Sequence, residues 1–389
     1  MYKICIATGT RADWGILHPL AKGLQMHDDV QLQILATNMH LLESYGHTVD
    51  EIIADGFEIS ATVNITDANN TSDNGRSRAI ATGQATAGSA EAFDRLHPDA
   101  VVILGDRFEM LGVASAAAIM GIPVIHLHGG EISEGAVDDS IRHAITKLSS
   151  LHLTSTEQYR RRVIQLGEAP DRVINTGSLG VWNMLNQPRI SRTELLESLG
   201  LDHTRPFALA TFHPATLDAA DPGERCAAML EAIDRFGNLN LIITYPNNDA
   251  GSAKIIRHIT AYASLRPGRV ALVKSLGMKR YMSAVHECEL VIGNSSGAII
   301  EVPAAGKPAV NIGIRQRGRM HSPLVIDTAD DADAIAAGIC RALDPQFVRD
   351  AAAAPNPYFK PDAPLIAIEA IMDFMASLPA GPKKFYDLP

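Results

Sequence analysis

From His126 to Lys147 the chain reads HLHGGEISEGAVDDSIRHAITK, and His126, His128, Glu131, Glu134, Asp138, Asp139, Arg142 and His143 fall within it. A little upstream, Gly105-Asp106-Arg107 closes another apolar run. Carboxylates set among imidazoles and guanidinium groups suit general acid–base chemistry, in which one side chain takes a proton and another returns one. The candidate acids and bases are Asp106, Glu131, Asp138, Asp139 and His128, with Arg107 and Arg142 beside them. Each has a plainer reading. Asp106 could cap the helix that begins at Phe108. Asp138 and Asp139 stand where a helix start favours negative charge, although two adjacent acids exceed what a cap needs. Arg142, four residues after Asp138, could simply pair with it. Paired Gly129-Gly130 lets backbone approach a ligand. His126 and His128, two apart on a strand, would share a face and could hold a metal ion. The second half of the chain offers no matching ligand cluster, so no metal is expected.

Anion-binding turns supply complementary chemistry. Thr8-Gly9-Thr10-Arg11-Ala12-Asp13 follows the first apolar run. Gly9 permits a tight turn, the helix start would offer free N–H groups, and Arg11 could grip a phosphate through two hydrogen bonds. Asp13 either caps that helix or joins the ligand contacts. Without GxGxxG spacing the turn is no dinucleotide fingerprint, and no cofactor is expected. Further on, Gly293-Asn294-Ser295-Ser296-Gly297 runs into Ala298-Ile299-Ile300-Glu301. A strand, small hydroxyl residues and a helix start make an anion cradle, and Glu301 could accept from ribose hydroxyls. The bland version is a serine cap with Glu301 in solvent. His213, closing another apolar run, could donate to a phosphate or a leaving group. Asn247 sits in Tyr245-Pro246-Asn247-Asn248-Asp249, a turn by composition before it is a site. Arg315, with Arg317 and Arg319 close behind, is either a phosphate partner or part of an exposed basic loop.

Such side chains need rigid strands to aim them. Apolar, β-branched runs recur at 3–8, 30–37, 100–105, 123–128, 151–156 and 172–177. After a stretch without a clear strand at 178–205 they resume at 206–213, 240–246, 270–276, 290–296, 309–314 and 324–327. Continuous apolar character, without alternation, marks strands buried on both faces of a parallel sheet. Helical segments between them, such as 15–25, 77–96, 108–121, 138–150 and 156–167, make the class α/β. Ligands of doubly wound sheets bind beyond the carboxyl ends of the strands, where the candidates above fall. The spacing predicts two doubly wound domains, 1–180 with the acid–base loops and 181–364 with the anion turns. A final helix in 365–389 could fold back on the first.

At 389 residues the chain exceeds one ordinary core. Its net charge of -10 argues against a nucleic-acid or membrane partner. No apolar run approaches the roughly 20 residues of a membrane helix, and the opening MYKICIATGTRAD reads as strand and turn, not as a leader peptide. Cys5, Cys226, Cys288 and Cys340 are scattered with no CxxC pair, which suits reduced thiols and a cytoplasmic protein.

Taken together, TGTRAD, LGDRFE, HLHGGE…DDSIRHAITKLS, LHLTSTEQY, FHPAT, PNNDAG, IGNSSGAIIEVP, NIGIRQRGR and the terminal FYDLP carry a family resemblance. The chain resembles the hydrolysing UDP-N-acetylglucosamine 2-epimerases of bacterial sialic acid and related nonulosonate pathways, along nearly its whole length. The resemblance implies two Rossmann-like domains facing across a cleft (the GT-B arrangement), a UDP-sugar substrate, no cofactor, and a homo-oligomer, dimer or tetramer. It also implies conversion of UDP-GlcNAc to N-acetylmannosamine and UDP, by anti elimination to 2-acetamidoglucal and syn addition of water. On that resemblance Asp106, Glu131, Asp138 and Asp139 match carboxylate positions, with Asp106 and Glu131 the principal acid–base pair. Arg11, Arg107, His213, Asn247, Ser295, Ser296, Glu301 and Arg315 match nucleotide-binding positions, and Arg142 matches a cleft arginine. Asp13 and Gly297 lie in the same motifs and are expected among the substrate contacts. The chain departs from the animal bifunctional enzymes at His128, where they carry Glu, and at Ile16, where they carry Lys. Its loop between Glu131 and Asp138 is also one residue longer. His128 is therefore a candidate acid–base or sugar-contacting group. Three alternatives stay open: the same reaction on UDP-2,4-diacetamido-2,4,6-trideoxyglucose, a GT-B glycosyltransferase, and a non-catalytic nucleotide-sugar sensor.

Overall fold

The computed structural model describes residues 1–65, 74–378 and 383–388; Pro389 of the terminal FYDLP lies outside them. The chain divides into two compact units. The first takes Met1–Glu131, Asp138–Trp182 and the described residues from Tyr358 onward; the second takes Ile132–Val137 and Asn183–Pro357.

The first unit is built on seven strands: β1 (Tyr2–Thr8), β2 (Val30–Thr37), β3 (Ala61–Val63), β4 (Ala100–Leu104), β5 (Val124–Leu127), β6 (Leu151–Thr154) and β7 (Val173–Asn175). They lie in the order β3-β2-β1-β4-β5-β6-β7, every neighbouring pair parallel. Alternate residues of β1 feed opposite faces. Ile4 and Ile6 pack with Trp14, Leu17, Leu20 and Leu24, and with Ala363, Ala367, Ile371 and Phe374 of the helix Ala363–Ala376. Cys5 and Ala7 pack on the other side with Ala85, Phe93, Val113 and Ala117. Burying one large aliphatic side chain is worth about 1.5–3 kcal/mol, so a strand covered on both faces gains from every position. That is why it reads as an unbroken apolar run.

The second unit repeats the scheme with β8 (Phe207–Thr211), β9 (Asn240–Thr244), β10 (Val270–Val273), β11 (Leu290–Gly293), β12 (Ala309–Ile312) and β13 (Val325–Thr328). Their order is β10-β9-β8-β11-β12-β13, again all parallel. Each sheet starts in its middle, runs to one edge, and returns to the other. The winding therefore reverses between β1 and β4, and between β8 and β11. Loops leaving neighbouring strands at such a point part to opposite faces and open a crevice at the carboxyl ends.

The doubly wound α/β class expected from the sequence is what both units form, and every apolar run named above becomes a strand. β3 has no counterpart among those runs, because three residues with Thr62 exposed leave too little pattern to see. Residues 178–205 include the helices Leu179–Asn186 and Arg192–Ser198. Among the described residues no helix is long and apolar enough to cross a membrane. Cys5, Cys226 and Cys288 are buried as free thiols, and Cys340 is exposed.

Candidate active site

At the first reversal β1 hands over to the helix Arg11–Gln25, with Thr10 accepting from Asp13 N as its cap. Asp13 Oδ2 accepts from Gly9 N at 3.3 Å, closing the turn. Arg11 lies partly exposed at the helix start. β4 ends ahead of Gly105-Asp106-Arg107 and the helix Phe108–Ile119, whose N-cap position falls to Arg107 with no side-chain cap bond. The N-cap position thus belongs to Arg107 and not to Asp106. Arg107 is buried, and its Nε donates to Glu109 Oε1 at 2.7 Å. Burial pushes the Asp13 carboxyl up to about 7, opposed by the Arg107 guanidinium and reinforced by Glu109.

β5 delivers the two histidines differently. His126 is fully buried; its Nε2 lies 2.7 Å from Gly105 O and its Nδ1 3.2 Å from Thr146 Oγ1. Burial pushes its pKa down to about 3, so it is a neutral splint between strand exits. His128 lies past the end of β5 with φ 63, where strand alternation no longer holds. The expected shared face of His126 and His128 is thus broken by a left-handed residue, a conformation costing about 1–3 kcal/mol. His128 Nδ1 instead meets Glu131 Oε1 at 3.0 Å, while its Nε2 is buried without a hydrogen-bond partner. Among the described residues no group of three or more His, Cys, Asp or Glu is gathered as a metal would need.

Glu131 is 2% exposed and also accepts from Ser155 Oγ at 2.6 Å. Beside it Arg142, 1% exposed, donates to Glu131 O at 2.7 Å and to Asp139 Oδ1 at 3.1 Å, and forms an ion pair with Asp106. The partners of Arg142 include two that the i,i+4 spacing does not point to, Asp139 at i,i+3 and Asp106 on another strand's exit. Burial disfavours the Arg142 charge, but Asp106 and Glu131 outweigh it and raise its pKa. Asp138 and Asp139 open the helix Asp138–Leu148, both partly exposed. The paired glycines also have another cause than ligand approach: a Cβ on Gly130, at φ 79, would sit 2.6 Å from Tyr159 O. Asp106, Glu131, Asp139, Arg142 and His128 thus form one connected cluster of carboxylates around a buried cation and an imidazole.

The second reversal gathers the anion turns. His213, 6% exposed, donates its N–H to Asn294 Oδ1 at 2.7 Å, and Asn294 Nδ2 donates to His213 O at 2.8 Å. Asn247 N donates to His213 Nδ1 at 3.2 Å, so the ring carries its proton on Nε2 as a donor. Gly293 has φ 139, and a Cβ there would lie 1.9 Å from Thr211 O, so no other residue fits where β11 ends. Ser295 caps the helix Ser296–Ile300 through Ala298 N, and Ser296 is exposed at its first position. Serine capping and an anion cradle are therefore compatible here. A Cβ on Gly297 would meet Tyr281 Oη at 2.9 Å and Glu301 Oε2 at 3.3 Å, so the glycine lets those two groups close on the turn. Arg315 Nη1 and Gln316 Nε2 both donate to Asn294 O, at 3.0 and 2.9 Å. Arg319 Nε donates to Ile132 O at 3.1 Å, and Arg317 points to solvent. Of the basic trio, only Arg315 is tied to the serine turn by these bonds.

A family model described as UDP-N-acetylglucosamine 2-epimerase matches residues 22–372. The chain belongs to that epimerase family. It is 38% identical over 391 residues to the polysialic acid biosynthesis protein P7 of Escherichia coli, spanning 100% of this chain and 98% of that one. It is 39% identical over 326 residues to the GDP/UDP-N,N'-diacetylbacillosamine 2-epimerase (hydrolyzing) of Campylobacter jejuni, 84% of each chain. Among solved structures, the Neisseria meningitidis UDP-GlcNAc 2-epimerase bound to UDP-GlcNAc has the same fold, with TM-score 0.79 over 95% of this chain and 100% of that one at 18% identity.

In this epimerase the geometry brings forward four residues beyond the candidates singled out in the sequence, one of them, Asn294, inside the serine motif itself. Ser155 holds Glu131, Glu109 holds Arg107, and Asn294 with Gln316 knits the serine turn to its neighbours. Ser155 and Asn294 each follow a strand's carboxyl end, a signal that was available. Glu109 lies inside a helix and gave none.

Proposed function

We propose that this epimerase is of the hydrolysing kind, converting UDP-GlcNAc to N-acetylmannosamine and UDP. A carboxylate of the Asp106–Glu131 pair takes the C2 proton, the C1–O bond breaks, and UDP departs with the electron pair to leave 2-acetamidoglucal. Water then adds its oxygen to C1 and a proton returns to C2 from that same face, opposite the face from which C2 lost its proton. Asp138, Asp139 and His128 assist those transfers, and Arg142 steadies the charge among them. Arg11, Asp13, Arg107, His213, Asn247, Ser295, Ser296, Gly297 and Arg315 take the UDP and sugar contacts, with Glu301 accepting from the ribose. The carrying observation is the Glu131 carboxylate, held at once by Ser155 and His128 beside an arginine that bridges Asp106 and Asp139. General acid–base catalysis needs such fixed groups, and leaving-group stabilisation needs donors like those around Asn294.

The Campylobacter relative's name favours one second reading, the same reaction on UDP-2,4-diacetamido-2,4,6-trideoxyglucose. Both sugar nucleotides should be incubated with the protein in heavy water. The expected outcome is UDP release and a manno-configured product carrying one deuterium at C2, and the ratio of kcat/KM values then assigns the substrate. A product without deuterium at C2 overturns the elimination route. Two intact sugar nucleotides overturn the hydrolysing reading itself.

A further inference from the structure

The helix Asp138–Leu148 carries Asp138, Asp139 and Arg142 at one end and stops abruptly at the other. Its last carbonyls have no partners within the helix. Lys383 supplies them from the far end of the chain: Nζ donates to Ser149 O at 2.6 Å, Lys147 O at 3.0 Å and Thr146 O at 3.5 Å. A cation is the charge that a helix carboxyl end favours. The same ammonium meets Glu168 Oε2 at 2.6 Å. Glu168, 2% exposed, takes Lys147 Nζ at 2.6 Å on its other oxygen and lies 2.9 Å from His152 Nε2. Although its burial alone would raise its pKa, these partners hold the Glu168 carboxyl down at about 2.

Two further contacts seat the segment. Lys147 Nζ stands 4.8 Å from the centre of the Phe385 ring, and Tyr386 N donates to Gly167 O at 2.9 Å. At Gly167 a Cβ would fall 2.2 Å from that ring, so glycine is what lets Phe385 lie there. The capped end is linked back to the acid–base cluster. Thr146, whose carbonyl Lys383 reaches, meets His126 Nδ1 at 3.2 Å, and His126 Nε2 lies 2.7 Å from Gly105 O, next to Asp106. Lys383 touches none of the groups assigned to the sugar or the diphosphate.

We infer that Lys383 is a positioning residue for the reaction proposed above, its ammonium fixing the carboxyl end of the Asp138–Leu148 helix and, through it, Arg142 against Asp106 and Glu131. This rests on the acid–base reading of that cluster. Displacing a reacting group by about 1 Å can cost on the order of a hundredfold in rate, so a loosened helix should act on turnover and leave binding alone. In full-length protein, Lys383→Met keeps the aliphatic stem and removes the charge, whereas Phe385→Ala weakens the seat but keeps the ammonium. Expected for Lys383→Met are a kcat lowered about tenfold or more, KM and UDP affinity close to native, and faster amide exchange at 145–149. Lys383→Ala should regain part of its kcat when methylamine is added, and Phe385→Ala should show a smaller loss. A native kcat in folded Lys383→Met overturns the inference, as does a loss confined to KM. Should Lys383→Met not fold, a native kcat in Phe385→Ala with freely exchanging amides at 145–149 overturns it equally. Should the native protein release no UDP, the functional reading alone falls; exchange at 145–149 then decides, and a native rate in Lys383→Met overturns the clamp.

Discussion

Arg142 is nearly inaccessible and is held by Asp106, Asp139 and the Glu131 carbonyl. Removing one partner of a buried ion pair costs about 3–5 kcal/mol. Arg142→Met should fall at the low end, because Asp106 and Asp139 keep some contact with water, and a thermal melt will show it. Asp106→Asn and Glu131→Gln keep shape but lose the proton-accepting oxygen. Each should lower kcat by about 10²–10⁴-fold with UDP affinity retained in calorimetry; native turnover in either removes that residue from the chemistry. Asp13 tests a different property. Folding raises its pKa to about 7, so the folded chain binds that proton more tightly than the unfolded one. Stability from this group therefore declines as pH rises from about 4 to 7 and is level above that. Asp13→Asn has no such group, and its Tm should gain on native across that window; a gap constant with pH would remove Asp13 as the titrating residue. The sequence showed these side chains but not their partners. Arg142 has an acid four residues before it, and only the β4 exit reveals Asp106 as a further ion-pair partner.

At the scale of elements, legibility followed burial. β1, with both faces covered, announces itself in composition, whereas β3 with Thr62 in solvent does not. The turns after β1, β4, β8 and β11 stand out as candidates because doubly wound sheets take ligands beyond the carboxyl ends of their strands. What the pattern did not tell was which turn residues serve packing. At Gly130 the missing side chain leaves space for Tyr159 O, a packing demand that composition does not distinguish from ligand approach. Gly293 gives the sharpest test. With φ 139 and Thr211 O 1.9 Å from any added Cβ, Gly293→Ala must move β8 or β11, whose exits carry His213 and Ser295. Loss of soluble protein or a clearly lower Tm is expected, together with weakened UDP binding. A variant with native Tm and UDP affinity would show that the turn can close another way.

For the molecule as a whole, the alternation of strand and helix made two parallel sheets readable from one sequence. The membership of Ile132–Val137 in the second unit was not readable. It arises from backbone bonds such as Glu134 N to Arg317 O at 3.3 Å and Leu217 N to Gly135 O at 3.2 Å, which no side-chain pattern encodes. The sulfur atoms are distributed just as unevenly as the charges. Burial pushes Cys5, Cys226 and Cys288 up to about 12, whereas Cys340 stands open on the helix Ala332–Ala342. An Ellman titration should therefore count one fast sulfhydryl in native protein and four in denaturant; two or more fast equivalents would mean the interior opens to reagent. Nature has in effect left a single handle for a maleimide dye on the second unit, so that ligand uptake could be watched by fluorescence in the wild-type protein, with no cysteine engineered in or out.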